Sequence, residues 1–367
     1  ITGNVRLEFT LPNTFYASNG KAGNTTVRFA TAPATGINLG ANNPSDYCPG
    51  TPDVIVTCFV NGNPLGGGTA GTGDALVKFP YGIANASSTM PTHLANANEV
   101  GPVWGAAYQR ETEKVFTAAF LKRHVGLLSA GLGGIFTTQL GTTPTTALLV
   151  DLETFSGAPH NIDLGQSVIG TRSTLPASST GSSEDPTAFG AVGKVGLGGM
   201  TISDDGRTLY VINLYQKKLI SINIGVPAKT TITSADINTY TIPDPGCTNG
   251  TSRPFAVRYY QGKVYVGTIC SAENSGGTQS NLHAYVYTFD PVATTFNNTA
   301  VANFSLNYPK GKIHTLETPA KWLPWSDNFA DMYFGTASSP PFPRTMRPQP
   351  ILSDIDFVEN GDMVLGF

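Results

Sequence analysis

Three aspartates, Asp354, Asp356 and Asp362, form the densest acidic group of the chain. Strand alternation puts Asp354 and Asp356 on one face, with Asp362 returning across a hairpin. Oxygen ligands of this kind suit calcium, so the three are a candidate calcium site. Their spacing departs from the EF-hand loop, and aspartate is ordinary in hairpin turns, which is the competing reading. Trp322 and Trp325, with Phe329, Tyr333 and Phe334, form an aromatic insertion. Rings stack on sugar faces, so this is a candidate glycan platform; the alternative is a packed loop. His124 stands beside Lys122 and Arg123, where it would meet an anionic glycan, tune a proton transfer or close a structural corner.

Catalytic motifs are absent. Gly126–Gly131 contains Ser129 at the wrong spacing for a nucleophile elbow. No H-E-x-x-H occurs, and the histidines at 93, 124, 160, 283 and 314 include no i, i+4 pair. The chain is therefore expected not to be an enzyme, and no cofactor is expected beyond the candidate calcium.

The four cysteines fall as two local pairs, Cys48 with Cys58 and Cys247 with Cys270. No C-x-x-C occurs, which disfavours a zinc knuckle or a thioredoxin-type motif. An even count in a chain rich in Thr, Asn and Gly predicts an oxidising compartment and bridges 48–58 and 247–270. Locality is the reason for this pairing, and four buried thiols are the alternative.

The composition bounds what these residues can do. Charged residues are 13% of the 367, against 40% hydrophobic, with a net charge of −3. A nucleic-acid partner is excluded, because phosphate neutralisation needs clustered Lys and Arg. No run of about 18 apolar residues occurs, so no transmembrane helix is expected. The chain opens Ile1, Thr2, Gly3 without a signal peptide, as a processed or partial chain would.

The elements that must position these residues are strands. With 41 glycines and 26 prolines, short β-branched and aromatic runs lie between turn clusters, and helix signals are confined to Leu121–Leu128. The expected fold is all-β. Residues 1–75 read as a small β-sandwich with strands near Val5–Leu11, Thr25–Phe29 and Asp53–Val60, ending in a flexible Gly-rich linker over Asn61–Asp74. That linker lacks the Lys-Ser/Thr and helix of a phosphate loop.

Residues 76–367 read as a β-propeller. Four segments share an apolar strand, a tight polar turn and a second apolar strand: Trp104–Ala118, Gly199–Ile212, Pro254–Gly267 and Leu352–Gly366. Asp204-Asp205-Gly206, Gln261-Gly262 and Asn360-Gly361 are hairpin turns, where Gly or Asn accepts a positive φ. The first three segments are each followed by another strand pair: Gly134–Leu140 with Ala147–Leu152, Lys218–Ile224 with Ile237–Ile242, and His283–Asp290 with Thr299–Leu306. The fourth repeat is incomplete. Either the natural chain continues past Phe367, or Leu76–Tyr81 closes the ring.

Val103–Arg110 with Phe120–His124 resembles the first blade of propeller regions in very large bacterial surface proteins. Gln349–Phe357 with Met363–Phe367 resembles a later blade. Val27–Ala30, Cys48 and Thr57–Gly62 fit the Sdr-type B-repeat-like module that precedes such propellers. The resemblance implies an exported, non-enzymatic adhesin or attachment module at the bacterial cell surface, in the manner of Bacteroidota gliding proteins and type IX secretion cargo. It implies a host or environmental surface or glycan as ligand, with secretion-machinery or outer-membrane proteins as partners. The rivals are a structural subunit of a sheath or filament, and an extracellular propeller enzyme acting on polysaccharide.

Overall fold

The repeated hairpins fold as blades. In the computed structural model, which describes residues 2–12, 15–17, 25–42, 52–83, 90–172, 174–312, 320–334, 344–345, 347–358 and 360–367, the fold is all-β. Blade 1 runs from inner to outer strand as Val103–Gln109, Lys114–Ala119, Gly134–Gln139 and Thr145–Asp151. Blade 2 follows as Leu197–Ile202, Thr208–Asn213, Lys218–Asn223 and Ile237–Thr241. In blade 3, Ser252–Tyr260, Lys263–Cys270 and His283–Asp290 are followed by Thr295–Phe296 and Ala302–Ser305, both paired to His283–Asp290. Blade 4 is represented by the hairpin Asp354–Phe357 with Met363–Gly366.

Successive residues of the central strands serve two different cores. Leu209 and Val211 point to the core shared with Phe116 and Ile135 of blade 1. Tyr210 and Ile212 point to the core shared with Val257, Val264 and Val266 of blade 3. A third core joins Ala256, Ile269 and Val286 to Leu352 and Ile355 of the fourth hairpin. A strand buried on both faces must be apolar throughout, which is why Thr208–Asn213 lacks polar alternation. Each fully buried Ile or Leu there is worth roughly 1.5–3 kcal/mol.

The inner strands approach very closely. A Cβ on Gly105 would lie 2.8 Å from the Gly198 carbonyl oxygen, and one on Gly199 2.8 Å from that of Phe255. Only glycine permits this spacing. At the other end of the sheets Gln109, 1% exposed, ties blade 1 to blade 2. Its Nε2 donates to the carbonyls of Gly206 (2.6 Å) and Gly225 (2.7 Å).

The chain divides into two units, residues 1–55 with 78–92 and residues 56–77 with 93–367. It passes between them along strands Asp53–Thr57, Asp74–Pro80 and Thr92–Asn96. The first unit holds two small antiparallel sheets, Gly3–Glu8 with Val27–Ala32 and Tyr16–Ala17 with Ala41–Asn42. None of its described residues belongs to the buried apolar core.

Two expectations are corrected. The Gly-rich stretch 61–74 is not a flexible linker but a packed part of the second unit, with a helical turn at Thr69–Thr72. A Cβ on Gly62 would sit 2.4 Å from the Pro176 oxygen, and one on Gly68 2.5 Å from that of Ala177. Those glycines serve close backbone approach rather than freedom. Residues 121–128 form a turn, not a helix. His124 is left-handed (φ 70°), and the carbonyls of Lys122 and Val125 accept from Arg172 instead of continuing a helical ladder.

Candidate functional site: the loop face of the blades

Antiparallel order sends the connections of every blade alternately to its two ends. One end carries the hairpin turns 110–113, 203–207, 261–262 and the turn of the fourth hairpin, together with the connections 140–144 and 224–236. The other carries the described residues of the long segments 120–133, 152–196, 271–282 and 306–353. Loops on a rigid scaffold are where binding groups concentrate.

A cleft of about 420 Å3 opens in this face beside blade 1, with Ser129, Asp151, Glu153, Gln166 and Thr171 in its wall. Asp151 ends the outermost strand, and its Oδ1 accepts from the Glu153 N–H at 3.0 Å. Glu153 Oε1 accepts from the Leu164 N–H at 3.0 Å, and Gln166 Oε1 from the Leu132 N–H at 3.0 Å. Burial pushes the Asp151 and Glu153 carboxyls above their ordinary range, and for Glu153 the nearby Asp163 and Asp151 charges add to it. The wall is thus rich in acceptors. It suits a ligand that donates hydrogen bonds, such as a hydroxyl-bearing one, rather than an anion.

Arg172 closes the floor of the cleft, and its donors are committed. Nε donates to Asp185 Oδ1 at 3.0 Å, and the guanidinium makes a second bond to Asp185 Oδ2. The remaining N–H groups reach the Val125 and Lys122 carbonyls at 2.6 and 3.0 Å. Burial raises the Asp185 carboxyl, but the bonds from Arg172 and the His124 N–H outweigh it and hold it below the ordinary value.

His124 belongs to this same knot. Its N–H donates to Asp185 Oδ2 at 2.7 Å, and its Nδ1 meets Ser183 Oγ at 2.9 Å. Burial first, then the Arg123 charge, lowers its pKa. His124 thus sits in a structural corner, held by Asp185 and Ser183.

A second polar group fastens the 306–353 segment to blade 3. Lys194 bridges Glu273 and Asp327 at 2.6 Å each, and Arg253 Nε donates to Glu273 at 2.9 Å. Trp325 is 6% exposed, with its Nε1 donating to the Pro350 carbonyl at 2.8 Å and the Arg253 guanidinium 5.8 Å from its ring. Trp322 is half-buried, under the Lys310 ammonium (5.4 Å) and near Phe367 (6.2 Å). The two tryptophans therefore do not form an exposed glycan platform, because their rings cover protein.

The candidate calcium ligands also go separate ways. Asp356 pairs with Arg258 at 2.8 Å, Asp362 accepts from Asn360 Nδ2 at 2.8 Å, and Asp354 Oδ1 accepts from the Ile355 N–H at 2.9 Å. No group of three His, Cys, Asp or Glu gathers to hold a metal among the described residues. Asp354 and Asp356 share a strand face as expected, but Asp362 does not return to them.

Cys247 and Cys270 form a disulfide with Cα atoms 5.3 Å apart. Cys58 carries a free thiol, which burial and then the Asp74 charge push up in pKa. Its expected partner Cys48 lies outside the described residues. No helix among the described residues is long and apolar enough to cross a membrane.

Sequence reading missed Trp104. It was seen only as the start of a repeat, yet it is 40% exposed where the four inner strands converge. Its own neighbours in sequence carry no signal of this. The convergence is a product of strands far apart in the chain.

No family model matches the chain. It is similar to colossin-A of Dictyostelium discoideum, 26% identical over 344 residues, covering 92% of this chain and 3% of that protein. Colossin-C of the same organism is 24% identical over 384 residues, covering 99% of this chain and 34% of that protein. The chain thus spans about a third or less of the length of these curated relatives. Among solved structures, the Cps50 (Swd1) β-propeller domain of Myceliophteria thermophila is similar at a TM-score of 0.28 and 8% identity, covering 63% of this chain and 65% of that one. The periplasmic gluconolactonase of Pseudomonas aeruginosa is similar at a TM-score of 0.29 and 11% identity, covering 63% of each.

Proposed function

We propose that the chain is an exported, non-enzymatic binding module that presents the loop face of its propeller to an external surface or glycan, as an adhesin or attachment module does. The observation that carries this reading is the loop-rich face with its cleft, whose polar side chains are spent on holding the loops in place. A face built this way offers a fixed surface with an acceptor-rich cleft. The Cys247–Cys270 bridge supports an oxidising, extracellular setting. The cell-surface location, and the gliding and type IX setting with its secretion-machinery or outer-membrane partners, belong to the same proposal and rest on the sequence resemblance.

Labelling intact source cells with a membrane-impermeant biotin reagent tests export. Recovery of labelled protein before lysis is expected; labelling only after lysis overturns the reading. One observation favours an enzyme instead: Asp151 and Glu153 share a cleft and both have raised pKa values. Turnover of a polysaccharide or lactone that Asp151→Asn abolishes would replace the binding-module reading.

A further inference from the structure

The four inner strands meet around a notch of about 260 Å3. Its lining includes Trp104 and Gly105 from blade 1, Gly199 from blade 2, Val257 from blade 3, and Ser353 and Asp354 at the fourth hairpin. Each inner strand is the edge of its sheet, so one side of its backbone takes no part in the blade's own ladder. Gly105 and Gly199 are themselves buried, each pressed against the backbone of the next inner strand, so the floor is closely packed main chain.

One wall is an indole. Trp104 packs against Phe120 and Phe255, each with its ring centroid 5.6 Å away, the second edge-on at 85°. Phe120 and Phe255 are themselves in contact at 5.8 Å and are buried. This backing holds Trp104 in one orientation while leaving 40% of it exposed, so a ligand that stacks on it orders little. Opposite in chemistry stands Asp354, exposed, with one oxygen on the Ile355 N–H and no partner for the other among the described residues.

We infer that this notch is a carbohydrate subsite, taking one hexopyranose ring with its C–H face on Trp104 and a ring hydroxyl donated to Asp354. A pyranose has an apolar face and an edge of hydroxyls that both donate and accept. Those are the complements of an indole face and a carboxylate. No basic side chain lines the notch, so an anion finds no partner. The exposed indole and the Asp354 carboxylate favour a pyranose over an extended peptide, for which blade 1 offers only the three-residue run Trp104, Gly105 and Ala106. The notch is distinct from the cleft at Asp151 and from the Trp322 and Trp325 region.

The test is a titration of the intact chain with glucose, galactose, mannose and N-acetylglucosamine oligosaccharides, read by tryptophan fluorescence and by retention on the same sugars immobilised. Saturable binding is expected to at least one of them. Trp104→Ala is expected to weaken it by about tenfold or more, and Trp104→Phe by much less. Asp354→Asn changes only an exposed carboxylate and is expected to weaken binding several-fold at an unchanged melting temperature. The inference is overturned if the wild-type chain binds none of these sugars, if Trp104→Ala binds as wild type, or if an extended peptide occupies the notch instead. Should Trp104→Ala fail to fold, an unchanged affinity in Asp354→Asn overturns it alone. Surface labelling of intact cells reads export without any ligand, so the subsite and the binding-module reading fail separately.

Discussion

Replacing Arg172 by leucine removes the buried positive charge that pairs with Asp185 in the loop-face knot. The Arg172 and Asp185 side chains are 5% and 3% exposed. Without the guanidinium, Asp185 keeps the His124 N–H, the Val125 carbonyl loses its side-chain donor, and the Lys122 carbonyl keeps the Val125 N–H at 3.2 Å. Stranding a buried carboxylate in this way costs about 3–5 kcal/mol. The double variant Arg172→Leu/Asp185→Leu strands no charge, so it is expected to cost less than the sum of the singles, with a coupling of about 1–3 kcal/mol. The pH dependence has a definite sign. In the wild type the folded carboxyl lies below its unfolded value of about 3.9, so the pair's stability is complete above that pH and is lost as pH falls through the folded pKa. In Arg172→Leu the two bonds and the charge of the guanidinium no longer oppose burial; with the His124 N–H left against it, the folded pKa is expected to rise above the unfolded one, and stability then falls as pH rises between them. Urea unfolding followed by fluorescence across about pH 3 to 7, which brackets the carboxylate pKa, reads both effects. A cost under about 1 kcal/mol at neutral pH, or strict additivity of the two substitutions, would refute the reasoning.

Three further expectations follow from packing and covalent structure. Gly199→Ala drives a Cβ to 2.8 Å from the Phe255 oxygen and 3.1 Å from the Val257 nitrogen, and should cost about 1–3 kcal/mol; a melting temperature equal to wild type would show that the inner strands can part freely. Cys247→Ala/Cys270→Ala opens a bridge across a sequence separation of 23, a loss of about 3 kcal/mol by chain entropy. Reductant should destabilise the wild type but not that variant. Gln109→Leu leaves the Gly206 and Gly225 carbonyls without their donor and should cost about 1–3 kcal/mol in denaturant unfolding, with a smaller loss pointing to replacement by water.

The blade hairpins were legible because turn chemistry is local. Gly206, Gly262 and Gly361 all adopt positive φ where Asp-Asp-Gly, Gln-Gly and Asn-Gly stand in sequence. The outer strand pairs were legible for the same reason, and His283–Asp290 has its expected bounds. The Gly-rich stretch misled because composition does not say whether a glycine is free or pressed against a carbonyl 110 or so residues away, and flexible chains and tightly apposed ones use the same residue. Residues 121–128 misled because Arg172 captures the carbonyls that a helix would have used. Trp325 was seen as a chemical type, but its role was fixed by Pro350 and Arg253. The Asp354 group shows the limit most clearly: alternation placed two carboxylates on one face, while the ion pair of Asp356 with Arg258 on the neighbouring blade could not be read from either segment.

The disulfide has a mechanical meaning. Cys247 precedes the inner strand of blade 3 and Cys270 ends the next strand, so the covalent ring encloses that blade's first hairpin. Under tension along the chain, load crosses the ring through the sulfurs and the hairpin inside it is bypassed. Spread over a separation of 23 residues with ends 5.3 Å apart, roughly 70–75 Å of contour length stays hidden from a pulling force. Blade 3 can lose its neighbours and its outer strands under load and still keep its innermost pair as a template on which the rest re-forms when the load is released.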